Sequence, residues 1–301
     1  MKTFGILLKR NIKLFFNDKG MFLTSLITPL ILLVLYITFL GNVYRDSFAQ
    51  NFKGIEISEE ILNGIVSGQL ISSILAVSCV TVAFCSNFLM VQDKALGNIK
   101  DITIAPINSH ILSLSYYVAS LVSTLIICFA GAAACLLYVS LSGWYLSALD
   151  VVLIFVDVIL LVLFGTVLSS IINYFLSTLG QISAVGTIVS SAYGFICGAY
   201  MPISSFPEGL QKVISFLPGT YGTSLLREHA MRGALNALAN ELPAESVGSI
   251  SGIKDAFDLN IYFYGNIISE ELKYIILCSV IVVLIIGYLI INKYAKVKKE
   301  K

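Results

Sequence analysis

Residues 151–165 read VVLIFVDVILLVLFG, and apart from Asp157 and the closing glycine every residue in the stretch is apolar. A helix needs about 20 mostly apolar residues to cross a hydrocarbon core about 30 Å thick. Six runs of this kind occur, at about 21–40, 65–91, 111–140, 149–172, 182–201 and 274–291. Continuous runs differ from the short alternating segments of a barrel, and backbone groups in lipid must pair internally. The sequence therefore predicts an all-α integral membrane protein with six transmembrane helices.

The overall composition agrees with this prediction. Of the 301 residues, 57% are hydrophobic and 12% are charged, whereas a soluble domain carries about 25% charged residues. So few polar groups do not cover a surface in water, and lipid must cover part of it. The cysteines all lie in apolar runs without a CxxC pair, which predicts reduced packing residues. They are Cys79, Cys85, Cys128, Cys135, Cys197 and Cys278.

The distribution of basic residues predicts the orientation. With six spans, the two chain ends and the loop 92–110 lie on one side of the membrane, and this side holds most of the Lys and Arg. These residues are Lys2, Lys9, Arg10, Lys13, Lys19, Lys94, Lys100, Lys293, Lys296, Lys298, Lys299 and Lys301. Because basic residues favour the inner side, both termini are predicted to be cytoplasmic in a multi-pass plasma-membrane protein. Residues 1–20 are predicted to form an amphipathic helix in the inner interface, against membrane lipid, beside a membrane domain over 21–301.

The outer segment 202–272 has its own pattern. Residues 206–217, FPEGLQKVISFL, space their apolar side chains on one helix face, and the turn PGTY at 218–221 interrupts them before a second helical stretch. Two short amphipathic helices around a Pro-Gly break suit a segment that dips into the outer leaflet and returns.

Asp157 is the one acid well inside a span. Ionisable groups at membrane depth are rare and mostly functional, so Asp157 is a candidate for lining a cavity, with a structural role or proton coupling as alternatives. Ser78 and Asn87, polar residues of the second span, are candidates for the same cavity.

The sequence lacks the residues of a catalytic centre. No Walker A pattern occurs, so the chain does not cradle nucleotide phosphates by itself. The two histidines, His110 and His229, are predicted on opposite sides of the membrane, and no metal site is expected. No catalytic residues, no cofactor of its own and no nucleic-acid partner are predicted. Uphill transport would then need an ion gradient or a partner.

Several motifs resemble those of type-2 ABC exporter permeases. The pair Asp93-Lys94 followed by GNIKDITIAP at 97–106 is similar to a cytoplasmic motif of that family, matching it at Gly97, Ile99, Ile102 and Pro106. Residues Asn98, Lys100 and Ala105 depart from its usual types. Three further stretches resemble the family: Arg10-Asn11 with Asp18-Lys19 and Pro29, GAYMPISSFPEGLQ at 198–211, and LPGTYGTSLLR at 217–227.

The resemblance implies a partner and a set of contacts. It implies two six-span permease subunits, as a homodimer or heterodimer, with two cytoplasmic ABC ATPase subunits that bind ATP and Mg. It also implies that the loop 92–110 contacts the ATPase, with a face of Ile99 and Ile102 inserted into it. The implied coupling residues are Arg10, Asp93, Lys94, Gly97, Ile99, Lys100, Asp101, Ile102 and Pro106. The implied re-entrant outer segment contains Pro202, Pro207, Pro218, Gly219, Tyr221 and Arg227.

These observations predict the permease subunit of an ATP-driven exporter working by alternating access. An amphipathic or hydrophobic compound, such as a drug, antibiotic or lipid-like molecule, is the expected cargo. Export of a lipid-linked glycan or peptide is the closest alternative. A proton-coupled secondary transporter using Asp157 and a membrane anchor for an ATPase are further alternatives.

Overall fold

The computed structural model describes residues 2–51, 57–105, 107–242 and 249–299, and these are largely helical. The helices are α1 (Lys2–Asn17), α2 (Lys19–Leu35), α3 (Gly41–Asn51), α4 (Glu59–Ala95), α5 (Asn98–Ile104), α6 (Ser109–Ser142), α7 (Ala148–Phe175), α8 (Leu179–Ile196), α9 (Glu208–Ile214), α10 (Pro218–Glu241), α11 (Ser249–Ala256) and α12 (Glu270–Lys299). A π-helical segment, Tyr36–Leu40, joins α2 to α3, and a 3₁₀ turn, Ile203–Ser205, precedes α9. Strands β1 (Tyr262–Phe263) and β2 (Asn266–Ile267) form an antiparallel hairpin.

Among the described residues, six helices are long and apolar enough to span a membrane, which confirms the predicted six-span all-α class. They are Lys19–Asp46, Glu59–Ala95, Ser109–Ser142, Ala148–Phe175, Leu179–Ile196 and Glu270–Lys293. Most extend beyond the predicted apolar runs because polar turns cap them; Ser147, for example, forms a capping box with Asp150. The fifth ends earlier than predicted, because Gly198 takes a φ of +71° that a helix does not continue through.

Helix α4 is the centre of the bundle. In its most apolar stretch of 18 residues, 94% of the residues are buried. The helix packs against α2, α6, α7, α8 and α10. Small residues permit these close approaches: a Cβ added at Gly68 would lie 2.7 Å from the carbonyl oxygen of Ala230 in α10. Hydroxyl pairs also link the helices, and Ser86 lies 2.6 Å from Ser120 of α6.

Helix α1 and the last turns of α12 lie at the same end of the bundle, which we call the α1 end. There α1 packs on the start of α6, where Asn11 donates to Ser115 (3.3 Å), and Tyr288 of α12 donates to the carbonyl of Ser113 (3.3 Å). The buried stripe of α1 is Leu7, Asn11 and Phe15, so this stripe faces protein, while its opposite surface is exposed. The other end, where α4, α7 and α12 begin, is called the α11 end.

Helix α10 lies within the bundle, between α4 and α7. A Cβ at its Gly222 would lie 2.5 Å from Leu161, which is thirteen residues, or about 20 Å, along α7 from Ala148. Near its other end, a Cβ at Gly233 would lie 1.8 Å from the carbonyl oxygen of Tyr145. Because α10 starts deep and ends near the start of α7, it traverses about half the length of the bundle.

Candidate coupling site and groove

Asp93, near the end of α4, is the common acceptor for three other helices. Arg10 of α1 donates to both of its oxygens (2.7 and 3.2 Å), Tyr116 of α6 donates at 2.5 Å, and Asn98 of α5 donates at 2.8 Å. The hydrogen bond to Asp93 also raises the pKa of Arg10 above its ordinary value. We call these four residues the Asp93 cluster. It joins α1, α5 and α6 to the most buried helix of the bundle.

Lys94 points to a different helix. Its ammonium donates to the carbonyl oxygens of Asn173 (3.3 Å), Tyr174 (2.8 Å) and Leu176 (3.4 Å), and it lies 5.3 Å from the centre of the Tyr174 ring. The last carbonyls of a helix have no intrahelical donor and carry partial negative charge, so a cation stabilises them. Lys94 therefore ties the end of α4 to the end of α7.

Helix α5 starts at a glycine for a conformational reason. Gly97 has a φ of +84°, a left-handed conformation that a side chain disfavours, and it is the N-cap of α5. This sharp turn after α4 aims α5 across the α1 end of the bundle. Pro106, the other boundary predicted from the sequence, lies outside the described residues.

The orientation of α5 differs from the expectation for its apolar residues. Ile99 and Ile102 are partly buried and pack against the core cluster of the membrane domain, so their shared face points inward in this chain. The difference arises because α5 is amphipathic and its nearest apolar surface belongs to the same chain. The exposed residues at this position form what we call the coupling surface: Leu96, Lys100, Asp101, Thr103 and Ile104. Ile104 is 85% exposed.

The three prolines of the predicted outer segment each begin a helical element. Pro202 is the N-cap of the 3₁₀ turn, Pro207 is the N-cap of α9, and Pro218 is the first residue of α10. Proline suits these positions because the first turn of a helix lacks partners for its N–H groups.

Arg227 and Asp258 fasten the α8 exit to α10 and the loop after α11. Arg227 is 1% exposed, donates to Asp258 (3.2 Å) and donates to the carbonyl of Gly198 (2.5 Å). Asp258 also accepts from the backbone N–H of Ile203 (2.9 Å), and burial raises its pKa. Gly219 and Tyr221 lie in the first turn of α10, where Tyr221 donates to the carbonyl of Ser215 (2.5 Å).

A groove runs between α2 and α8 along much of the bundle, with a volume of about 1030 Å³. On the α2 side it is lined mainly by apolar residues such as Ile27 and Ile31, and on the α8 side by small and hydroxyl residues such as Gly186, Thr187 and Ser190. Helix α8 is the least buried of the six candidate spans, since only 6% of the residues in its most apolar stretch are buried. The groove lining is thus amphipathic, with Asp18 as the charged residue among the described lining residues, and α4 contributes Cys85, Phe88 and Gln92 to it.

The three predicted cavity residues lie elsewhere. Asn87 donates to Ser169 (3.0 Å) and Ser170 (2.6 Å) in the α4–α7 interface, and Ser78 donates to the carbonyl of Ile74 in its own helix (2.6 Å). Asp157 is fully buried and accepts from His229 and Tyr274. None of the three is among the described residues that line the α2–α8 groove.

The hydrogen-bond partners of the candidate site residues were not evident in the sequence. No motif indicated that Tyr116 and Asn98 donate hydrogen bonds to Asp93. His229, which was expected on the outer side, is the hydrogen-bond partner of Asp157. The only available signal was that a buried acid needs a donor. The chain separation of 72 residues between Asp157 and His229 hides that partner from any local pattern.

Comparison with known proteins agrees with these features. A family model described as ABC-2 type transporter matches residues 2–230, which contain the Asp93 cluster, α5, the groove and most of α10. No curated protein matches the chain. Because the match covers most of the 301 residues, the chain belongs to the ABC-2 type transporter family and is a multi-pass membrane permease subunit of an ABC transporter.

Proposed function

We propose that this chain is the permease of an ATP-driven exporter that moves an amphipathic or hydrophobic compound outward by alternating access. Family membership implies association with an ABC ATPase and dimerisation. In our proposal two permease copies, identical or different, join two ATPase subunits, which bind ATP and Mg. The α1 end is cytoplasmic, since the basic residues of α1, α5 and the end of α12 lie there.

The observation that carries the proposal is the connection between the coupling surface and the bundle. The Asp93 cluster joins α5 to α1, α4 and α6, and Lys94 joins α4 to α7. A force applied to α5 by an ATPase would therefore reach three spans through charge-assisted hydrogen bonds, which are stronger than neutral ones. The exposed residues Lys100, Asp101 and Ile104 would make the contact.

The α2–α8 groove supports a cargo that is amphipathic and uncharged along most of its length. Its lining combines apolar side chains with hydroxyls, and its one charged residue, Asp18, begins the helix at the α1 end. Since one chain leaves α8 almost uncovered, we propose that the second permease copy faces this groove and that the cargo moves between the copies. The short elements between Gly198 and Pro218, together with α10, form the outer re-entrant gate in this account.

Ile104→Asp tests the coupling surface. We expect this substitution to reduce co-purification of the ATPase and its ATP hydrolysis by about tenfold, since a carboxylate would replace an exposed apolar contact. Unfolding temperature should not change, because the side chain is 85% exposed. The measurement is affinity purification of the tagged permease from native membranes, followed by ATPase assay. Leu141→Asp, at the α11 end and 83% exposed, is the matched control. Equal ATPase recovery from the two variants would contradict the assignment.

Thr187→Trp tests the groove. An indole at this lining position would fill the space between α2 and α8, and we expect transport of amphipathic dyes from vesicles to fall at least about tenfold with the ATPase still bound. Ile188→Trp is the control, because Ile188 is on the same helix, is 62% exposed and is not among the described lining residues. Transport by Thr187→Trp at the level of Ile188→Trp would exclude this groove as the route.

A further inference from the structure

A buried group of ionisable side chains lies near the α11 end, where α7, α10 and α12 meet. His229 of α10 has Nδ1 2.6 Å from Asp157 of α7 and Nε2 3.0 Å from Glu270 of α12. His229 and Asp157 are fully buried, and the Glu270 side chain is 32% exposed. The one imidazole ring thus joins three helices that are far apart in the sequence.

The geometry specifies the number of protons in this group. A neutral imidazole has one N–H and one lone pair, whereas an imidazolium has two N–H donors. Ionised carboxylates only accept hydrogen bonds, so with a neutral ring one of the two contacts would bring a lone pair against a carboxylate oxygen. With both carboxylates ionised, both contacts are satisfied together only when the ring carries two protons.

The surrounding charges favour a cation at this position. Arg232 of α10 lies 2.9 Å from Glu270, but Asp150 of α7 also contacts this arginine, at 3.5 Å, so Arg232 is shared between two acids and Asp157 is left to His229. Tyr274 of α12 donates to the second oxygen of Asp157 (2.8 Å) and stacks beside the imidazole. The neighbouring pair of Lys273 and Glu228 (3.0 Å) is neutral as a unit, and α4 places the thiol of Cys79 near Asp157.

We propose that His229, Asp157 and Glu270 form a proton-binding site that holds α7, α10 and α12 together, and that loss of this proton releases α12 from α10. We call it the proton site. Its ligand is a single proton, and it goes beyond the transport function proposed above because it regulates the outer half of the bundle whichever cargo is carried.

The structure indicates which contact is lost first. Asp157 is buried, and its carboxylate is stabilised by two hydrogen bonds, one from Tyr274 and one from His229. Its ion-pair partner is His229. Glu270 reaches solvent and keeps Arg232 as a second partner. A neutral His229 is therefore expected to retain the Asp157 hydrogen bond and lose the one to Glu270. That carboxylate belongs to the first residue of α12, so its release loosens the start of this span.

The direction of the pH dependence follows from His229, which lies in α10 outside the six candidate spans. Burial disfavours its charged form, but the hydrogen bonds and charges of Asp157 and Glu270 outweigh burial and raise its pKa above the ordinary 6.5. Stability contributed by a group with a raised pKa is complete below its unfolded value and is lost as pH rises through the folded value. Loosening is therefore expected on the alkaline side.

Nitrogen NMR of the full chain in lipid bilayers tests the protonation state. The chain has two histidines, so ¹⁵N-labelled histidine gives two sets of ring signals, one from buried His229 and one from exposed His110. We expect both ring nitrogens of His229 to be protonated at pH 7.5. A neutral His229 ring at pH 7.5 would overturn the proposal. A His110→Gln variant assigns the two signals.

Glu270→Gln tests the link to stability, because an amide both donates and accepts and so satisfies a neutral ring. We expect it to lower the proton affinity of His229 by about tenfold or more. The unfolding temperature of the wild type should fall between pH 6.5 and 9, and that of Glu270→Gln should fall much less. Glu271→Gln, an exposed neighbour with the same charge change, should follow the wild type. Identical pH profiles for all three proteins would also overturn the proposal.

Discussion

Replacing Asp93 with asparagine is expected to lower the free energy of unfolding by about 3 kcal/mol, because hydrogen bonds to a charged acceptor contribute about 1.5–3 kcal/mol each and several weaken together. The asparagine side chain has the same size as aspartate, but its NH₂ group would replace one of the two acceptor oxygens and face groups that are themselves donors. Arg10, Asn98 and Tyr116 would compete for one remaining oxygen. We also expect stimulation of the ATPase by cargo to fall by more than tenfold, since the hydrogen bond from Asn98 that holds α5 against the end of α4 would weaken.

Two measurements check this prediction. Thermal unfolding in detergent reports the stability, and ATP hydrolysis by the reconstituted complex, with and without an amphipathic cargo, reports coupling. Asp46→Asn is the matched control, because Asp46 is exposed and carries the same charge change. If Asp93→Asn behaved like Asp46→Asn in both measurements, the Asp93 cluster would have no role in coupling.

Gly233→Ala is expected to have an effect of similar or larger size on α10. A Cβ at this position would lie 1.8 Å from the carbonyl oxygen of Tyr145, and no side-chain rotation moves a backbone oxygen. Overpacking of this kind costs typically 1–3 kcal/mol and occasionally more, and we expect about 3 kcal/mol or more here because backbone must shift. The purified variant should show a lower unfolding temperature and a larger aggregated fraction.

The control for this substitution lies in α6. Gly131 is also helical, and a Cβ there would meet nothing within 4 Å, so Gly131→Ala should be neutral or slightly stabilising. Wild-type stability in Gly233→Ala would mean that α10 does not pack against Tyr145 as described.

The sequence predicted the spans well because their signal is local. Length and continuous apolarity identify a membrane helix without knowledge of its neighbours, and all six runs correspond to described helices. The helix ends were less accurate, because caps such as Ser147 and the left-handed Gly198 decide them. The spacing of apolar residues in α5 correctly predicted a helix. It did not indicate which surface Ile99 and Ile102 would pack against.

The contacts of the candidate site residues were not predictable because they join distant residues. Asp93 was recognised from its motif, yet Arg10 lies 83 residues away and Tyr116 on another helix. In the same way, Asp157 was noticed as a buried acid without a partner in any other span. The partner, His229, comes from α10, which is not itself a candidate span. The α2–α8 groove depends on how two separate helices pack, and no residue pattern encodes that spacing.

We propose that a separate ABC ATPase docks on the exposed surface of α5. The most direct test places a photo-cross-linking amino acid at position 104 in the full chain and irradiates native membranes. A matching protein with the probe at position 264, on the β-hairpin, is the control. We expect a cross-linked partner with Walker A and ABC signature sequences from position 104 alone. Cross-linking of that ATPase from position 264, or from neither position, would contradict it.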